Sequence, residues 1–265
     1  MPLNGTENVL KASLARGVPQ IGFWSSLCSP LVAELIAGAG FDWMLIDSEH
    51  APNDLPQVVA QLQAASAYPT EAVVRIPAAD ATIIKRYLDG GARSLLVPFV
   101  EDAAAARAVV AATRYPPDGV RGVSVGHRGN RFGRAKGYMR DAAATTCVVV
   151  QLETRAALLA AEEIAGVEGV DAVFIGPSDL AADFGQLGNA GHPEVQEGIR
   201  DAIARCRAAG RPIGILAPVA EDARRYMEWG ATMVAVGSDM GVLLRGTDAL
   251  VEAFAATGGG RRMTA

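Results

Sequence analysis

Cys147-Val148-Val149-Val150-Gln151-Leu152-Glu153 and Asp171-Ala172-Val173-Phe174-Ile175-Gly176-Pro177-Ser178-Asp179 are the stretches that decide the fold. Each is a continuous apolar run, the pattern of a strand buried on both faces of a parallel sheet. Each delivers a carboxylate, Glu153 or Asp179, just past its C-terminal end. In barrels and open α/β sheets that edge is where catalytic groups gather. Two carboxylates from adjacent strands, with no His or Cys cluster nearby, suit a hard, oxygen-preferring cation such as magnesium or manganese. Either acid alone reads equally well as a helix N-cap or first-turn residue. Taken together and with their neighbours, they read as a site.

Outward from these runs a phrase recurs: helix, small-residue turn, apolar strand. Gly38-Ala39-Gly40-Phe41 leads into Trp43–Asp47, Gly90-Gly91-Ala92 into Ser94–Pro98, Gly166-Val167-Glu168-Gly169 into Asp171–Ile175, and Gly230-Ala231 into Met233–Gly237. Glycine is the expected residue closing a helix. Further strands are expected at Gln20–Trp24, Glu71–Arg75, Val148–Gln151 and Pro212–Leu216, with Ala-rich helices such as Ala103–Thr113 and Glu197–Ala209 between strands. The alternation predicts a parallel α/β sheet, and eight units predict a closed (β/α)8 TIM barrel, with an open doubly wound sheet as the alternative. The chain of 265 residues fits one such barrel, typically about 250 residues. Residues 1–265 are therefore expected to form a single barrel domain, with a lid-like loop at about 114–141 and a frayed tail at Gly258-Gly259-Gly260-Arg261-Arg262.

Composition excludes several classes. A formal net charge of −5 gives no basic footprint for nucleic acid. No apolar run reaches the roughly 18 residues of a membrane span, and Met1 to Arg16 lacks the apolar core of a signal peptide. The widely spaced Cys28, Cys147 and Cys206 form no metal motif and point to a reducing, cytoplasmic setting. Walker, GxGxxG, GxSxG and HExxH patterns are absent. The chain's lysines, Lys11, Lys85 and Lys136, end no expected strand, which disfavours Schiff-base chemistry.

Candidate chemistry gathers at strand ends. His50 follows the second strand in Asp47-Ser48-Glu49-His50, where a carboxylate fixing its tautomer would make it a base; otherwise it is one polar residue in a turn. Arg75 ends Ala72-Val73-Val74-Arg75 among apolar neighbours, so its guanidinium is expected to face the barrel mouth and an oxyanion, or else a structural carboxylate. Gln151 shares its strand face with Glu153. Gly176-Pro177-Ser178-Asp179 reads as a turn into a helix whose free N–H groups suit a carboxylate. In the loop, Arg121, Arg128, Arg131 and Arg134 would suit an anionic or hydroxylated substrate, or a subunit contact. His127 and His192 read as weaker candidates.

Gly22-Phe23-Trp24, Asp47-Ser48-Glu49-His50-Ala51-Pro52, Val74-Arg75-Ile76-Pro77, Tyr115-Pro116-Pro117-Asp118-Gly119-Val120-Arg121-Gly122, Gln151-Leu152-Glu153-Thr154 and Gly176-Pro177-Ser178-Asp179-Leu180 together resemble the HpcH/HpaI aldolase family. These are metal-dependent class II pyruvate aldolases, among them 4-hydroxy-2-oxoheptanedioate aldolase. The resemblance spans nearly the whole chain and implies a (β/α)8 barrel. It implies a divalent cation (Mg2+, Mn2+ or Co2+) on Glu153 and Asp179, completed by waters and by oxygens of pyruvate or a related 2-oxo acid. It further implies Arg75 as enolate stabiliser and His50, held by Asp47, as the proton-transfer residue. Gln151 and the Ser178 and Asp179 amides would hold the 2-oxo acid, Trp24 would line the pocket, and Leu216 would shape the aldehyde site. A homo-oligomer, dimer or hexamer, with an exchanged final helix is also implied. The expected activity is reversible aldol cleavage of a 4-hydroxy-2-oxo acid. The alternatives are a 2-oxo acid decarboxylase or citramalyl-type lyase on the same site, and a non-catalytic carboxylate-binding barrel.

Overall fold

The structure, a computed structural model, describes residues 7–255; the glycine-rich tail expected to fray lies outside them. Eight parallel strands close in sequence order into one barrel. They are β1 (Gln20–Ser25), β2 (Trp43–Asp47), β3 (Glu71–Arg75), β4 (Ser94–Val97), β5 (Cys147–Leu152), β6 (Ala172–Ile175), β7 (Ile213–Leu216) and β8 (Met233–Ser238). The helices are α1 (Val9–Ala15), α2 (Pro30–Ala37), α3 (Leu55–Ala65), α4 (Ala81–Asp89), α5 (Ala103–Thr113) and α6 (Tyr138–Thr145). They continue with α7 (Arg155–Leu159), α8 (Ala161–Ala165), α9 (Pro177–Asp183), α10 (Pro193–Ala208), α11 (Ala220–Trp229) and α12 (Asp239–Phe254). No described helix is long and apolar enough to cross a membrane.

Strand alternation divides the core in two. Leu45, Val73, Leu96, Val149, Phe174, Met233 and Ala235 fill the barrel interior, while Met44, Ile46, Val74, Leu95, Val150, Val173 and Ile215 pack outward against the helices. Space inside is tight: a Cβ on Gly22 would fall on the Trp43 indole, so glycine there lets the indole fill the barrel. Leu10 and Leu14 of α1 close the interior at the strands' N-terminal end. Asn8 fixes that plug by capping α1 and donating to Ser94 Oγ at 2.8 Å.

The 114–141 segment departs from the expected lid. It joins α5 to β5, so it returns to the N-terminal end of the strands, away from its own chain's catalytic rim. It packs on the end of α4. Arg121 is fully buried, donating to Asp89 Oδ1 at 2.7 Å and stacking on Tyr115. Arg128 donates to the Gly90 carbonyl at 3.1 Å. His127 is buried beside Tyr138 and its Nδ1 accepts the Asn130 N–H. Arg121 and His127 are thus internal struts of this loop.

Candidate active site

The inward-facing positions of the strands, continued one step beyond the core, give Trp24, Asp47, Arg75, Gln151, Glu153 and Leu216. Parity alone puts these side chains at one mouth of the barrel. Register then pairs them: Asp47 lies directly beside Arg75 across β2 and β3. Arg75 Nε and Nη2 donate to the two Asp47 oxygens at 2.9 and 2.7 Å, a bidentate pair. Glu49 Oε2 lies 2.9 Å from Arg75 Nη1, off the line of an N–H, so this contact is ionic rather than a directed hydrogen bond. The Trp24 ring backs the guanidinium at 4.9 Å, and its Nε1 donates to Asp47 Oδ2 at 3.2 Å. Burial would push Asp47 up, but the hydrogen bonds and charge of Arg75 hold it below the ordinary carboxylate range. Glu49 goes the other way: burial raises it, and Arg75 and His50 offset this only in part.

Glu153 faces this group from β5. Its Oε1 accepts from Gln151 Nε2 at 2.9 Å and its Oε2 from the backbone N–H of Phe99 at 3.0 Å. Burial, together with the charges of Glu49 and Asp179, pushes it up to about 7 against the Phe99 hydrogen bond and Arg75. Gly176 makes room, because a Cβ there would overlap the Glu153 carboxylate and the Gln151 amide. The same glycine leaves α9 without a side-chain cap, so the N–H groups about Ser178 and Asp179 stay open. Gln151 Oε1 is buried and has no hydrogen-bond partner. His50, its side chain 59% exposed, has Nε2 4.0 Å from Asp179 Oδ2. Leu216 is partly buried against the barrel interior.

The structure brings Trp24, Asp47, Arg75, Gln151, Glu153, Asp179 and His50 near one another, with Leu216 at the end of β7 and Ser178 in the first turn of α9, and it changes one expected role. Asp47 does not hold the His50 ring: its oxygens take Arg75, Trp24 and the backbone N–H groups of Glu49 and His50. The carboxylate facing the imidazole is Asp179. Trp24 is buried and backs the Arg75 guanidinium. Glu49 and Phe99 join the site although the sequence reading assigned them no role. For Glu49 the signal was its inward parity with Asp47; for Phe99 no sequence signal existed. His192 is structural, capping α10 through Nδ1 at 3.3 Å from the Glu194 N–H.

Could these residues hold a divalent cation? Asp47 and Glu49 contact one buried guanidinium, and Glu153 and Asp179 are close enough for the carboxylate charges to act on one another. Glu153, the most perturbed, carries a buried amide acceptor beside it. That excess of negative charge, with hard oxygen donors only, fits a small divalent ion. Among the described residues no group of three or more His, Cys, Asp or Glu is arranged to hold a metal ion. The lysines lie elsewhere: Lys11 binds Asp171 near the strands' N-terminal end, and Lys85 is in α4 beside Gly122.

The HpcH/HpaI aldolase/citrate lyase family model matches residues 20–246. A 5-keto-4-deoxy-D-glucarate aldolase of Klebsiella pneumoniae is 51% identical over 247 residues, covering 93% of this chain and 96% of that protein. One from Salmonella arizonae is 50% identical over the same coverage. A crystal structure of an HpcH/HpaI aldolase/citrate lyase family protein from Burkholderia cenocepacia superposes with a TM-score of 0.90 at 41% identity, covering 93% of this chain and 98% of that one. With barrel, rim chemistry and relatives in agreement, the chain belongs to the HpcH/HpaI aldolase/citrate lyase family and is a carbon–carbon lyase of aldolase type.

Proposed function

We propose that this enzyme reversibly cleaves a 4-hydroxy-2-oxo acid to pyruvate, or a close 2-oxo acid, and an aldehyde, with a divalent cation (Mg2+, Mn2+ or Co2+) held by Glu153 and Asp179. The substrate named for its relatives, 5-keto-4-deoxy-D-glucarate, is itself a 4-hydroxy-2-oxo diacid. Its cleavage would give pyruvate and a hydroxylated three-carbon aldehyde acid. The observation that carries the reading is the uncompensated carboxylate cluster around one fixed arginine.

The bound cation would supply Lewis-acid polarisation of the 2-oxo group. The chain's residues do the rest. Arg75, locked on one edge by Asp47, turns its remaining N–H groups to the oxyanion that develops as the C3–C4 bond breaks. His50 takes the proton from the 4-hydroxyl, and its exposed position suits a base that must exchange protons with water. The open amides at the start of α9 bind the substrate carboxylate. Gln151 Oε1 accepts a hydrogen bond from a bound water or hydroxyl.

We also propose a homo-oligomer, dimer or hexamer. Met240, Leu243, Leu244, Leu250, Val251 and Phe254 form a helical apolar stripe on α12, all exposed. Asp239 is its only buried residue among those described. Such a stripe supports docking against another copy of the chain.

Chelator should abolish pyruvate release from 5-keto-4-deoxy-D-glucarate, and added Mg2+, Mn2+ or Co2+ should restore it. Borohydride with pyruvate should leave the enzyme active. Full activity in chelator would overturn the reading. Carbon dioxide release from oxaloacetate without aldol cleavage would favour the decarboxylase instead.

A further inference from the structure

At the end of β4 the chain runs Val97-Pro98-Phe99-Val100. Phe99 takes φ +51°, the left-handed region that a bulky aromatic residue rarely adopts. Its neighbour β5 receives two consecutive donors from this turn. The Phe99 N–H reaches Glu153 Oε2 at 3.0 Å, and the Val100 N–H reaches the Gln151 carbonyl at 3.1 Å. In an extended strand successive N–H groups point to opposite sides, so both cannot address one neighbour. The left-handed residue is what turns them to the same side. Glu153 is then gripped on both oxygens, by Gln151 on Oε1 and by Phe99 on Oε2. Backbone strain of this kind persists only where the surrounding structure imposes it. Phe99 is 49% exposed, so its ring is not a core side chain that would account for the conformation.

We propose that Phe99 is a positioning residue for Glu153: its left-handed backbone aims an N–H at the carboxylate and fixes its free lone pairs for a divalent cation. The inference rests on the cation reading above and adds a group outside the ligand pair. The strain belongs to the backbone, so the identity of the side chain matters through the conformation it permits.

The test is Mn2+ binding to metal-stripped full-length protein, by titration calorimetry and electron paramagnetic resonance, with circular dichroism and melting on the same samples. Three variants all delete the ring and differ in backbone preference. Phe99→Gly enters the left-handed region freely and should bind Mn2+ within about threefold of wild type. Phe99→Ala should bind more weakly than the glycine variant. Phe99→Val, β-branched, should bind weaker still, by about tenfold or more, with the fold intact. If the valine variant does not fold, the order of glycine over alanine decides the matter. Equal affinity in the folded variants, or a glycine variant as weak as the weakest, overturns the proposal. Wild-type protein that takes up no Mn2+ would overturn the cation reading itself, and this inference with it.

Discussion

Arg75 has five N–H donors, and Asp47 takes two of them, one on Nε and one on Nη2, while Nη1 stands in ionic contact with Glu49. The other N–H groups, on the two terminal nitrogens, form a preorganised set for an oxyanion. Lysine cannot reproduce that fork. Arg75→Lys should lower kcat about 10²-fold or more, with Mn2+ affinity near wild type; unchanged turnover would make Arg75 purely structural. Because Asp47 grips Arg75, Asp47→Asn should reproduce the Arg75 defect and lower the melting temperature, rather than mimic loss of His50. His50→Ala should keep its cation and fold while turnover falls roughly 10²–10⁴-fold, the span of a general acid–base. A variant that loses the cation would make His50 a ligand. The site's membership was legible in the sequence because strand parity picks it out: Asp47, Arg75 and Gln151 each sit two residues beyond an interior core position, and Glu153 two beyond Gln151. Pairing was not legible. Which carboxylate holds Arg75 follows from the Asp47–Arg75 register between neighbouring strands, and the turn at Phe99 follows from a dihedral angle that no composition rule anticipates.

The strands were readable because burial on both faces leaves little but Val, Ile, Leu and Ala; β3 and α5 match the sequence expectation at both ends. The 114–141 connection was read as a lid from its length and composition, although its place between a helix and the next strand sets it at the N-terminal end of the strands in its own chain. Its glycines and arginines looked like solvated chain, yet Arg121 and Asn130 are buried inside it. Exposed apolar side chains on it include Val120, Val123, Val125 and Phe132. For α12 the expectation is quantitative. Its stripe runs four turns, and a stable interface buries roughly 800 Å² per partner. Introducing Leu243→Glu and Leu250→Glu, one face of the helix, should convert the assembly to monomers in light scattering while circular dichroism is preserved. An unchanged mass would mean that α12 is no interface.

The barrel as a whole concentrates negative charge at one mouth, and that concentration sets a pH dependence. Burial chiefly, with the Glu49 and Asp179 charges, raises Glu153 to about 7, above an ordinary carboxylate. The cation-free folded protein therefore holds a proton there that the unfolded chain releases at lower pH. The stabilisation is fully present below the unfolded carboxylate value and is lost as pH climbs through about 7. A divalent cation competes for the same oxygens, so proton and cation exchange. Between about pH 5 and 7 apparent Mn2+ affinity should rise by up to roughly tenfold per unit and then level off. Over the same range the melting temperature of metal-stripped wild type should fall relative to Glu153→Gln, which removes this titration while leaving Asp47, Glu49 and the remote buried Glu71 in place. Taking the difference from Glu153→Gln separates Glu153 from the remote Glu71, also raised by burial, whereas Glu49 is coupled to Glu153 and titrates with it. Saturating Mn2+ should stabilise wild type most on the alkaline side and the variant at no pH. Calorimetric titrations in buffers of different ionisation enthalpy count the released protons directly. Release approaching one proton near pH 6, vanishing well above 7, is the expected result, and Mn2+ affinity flat across that window would mean that Glu153 is not where the cation binds.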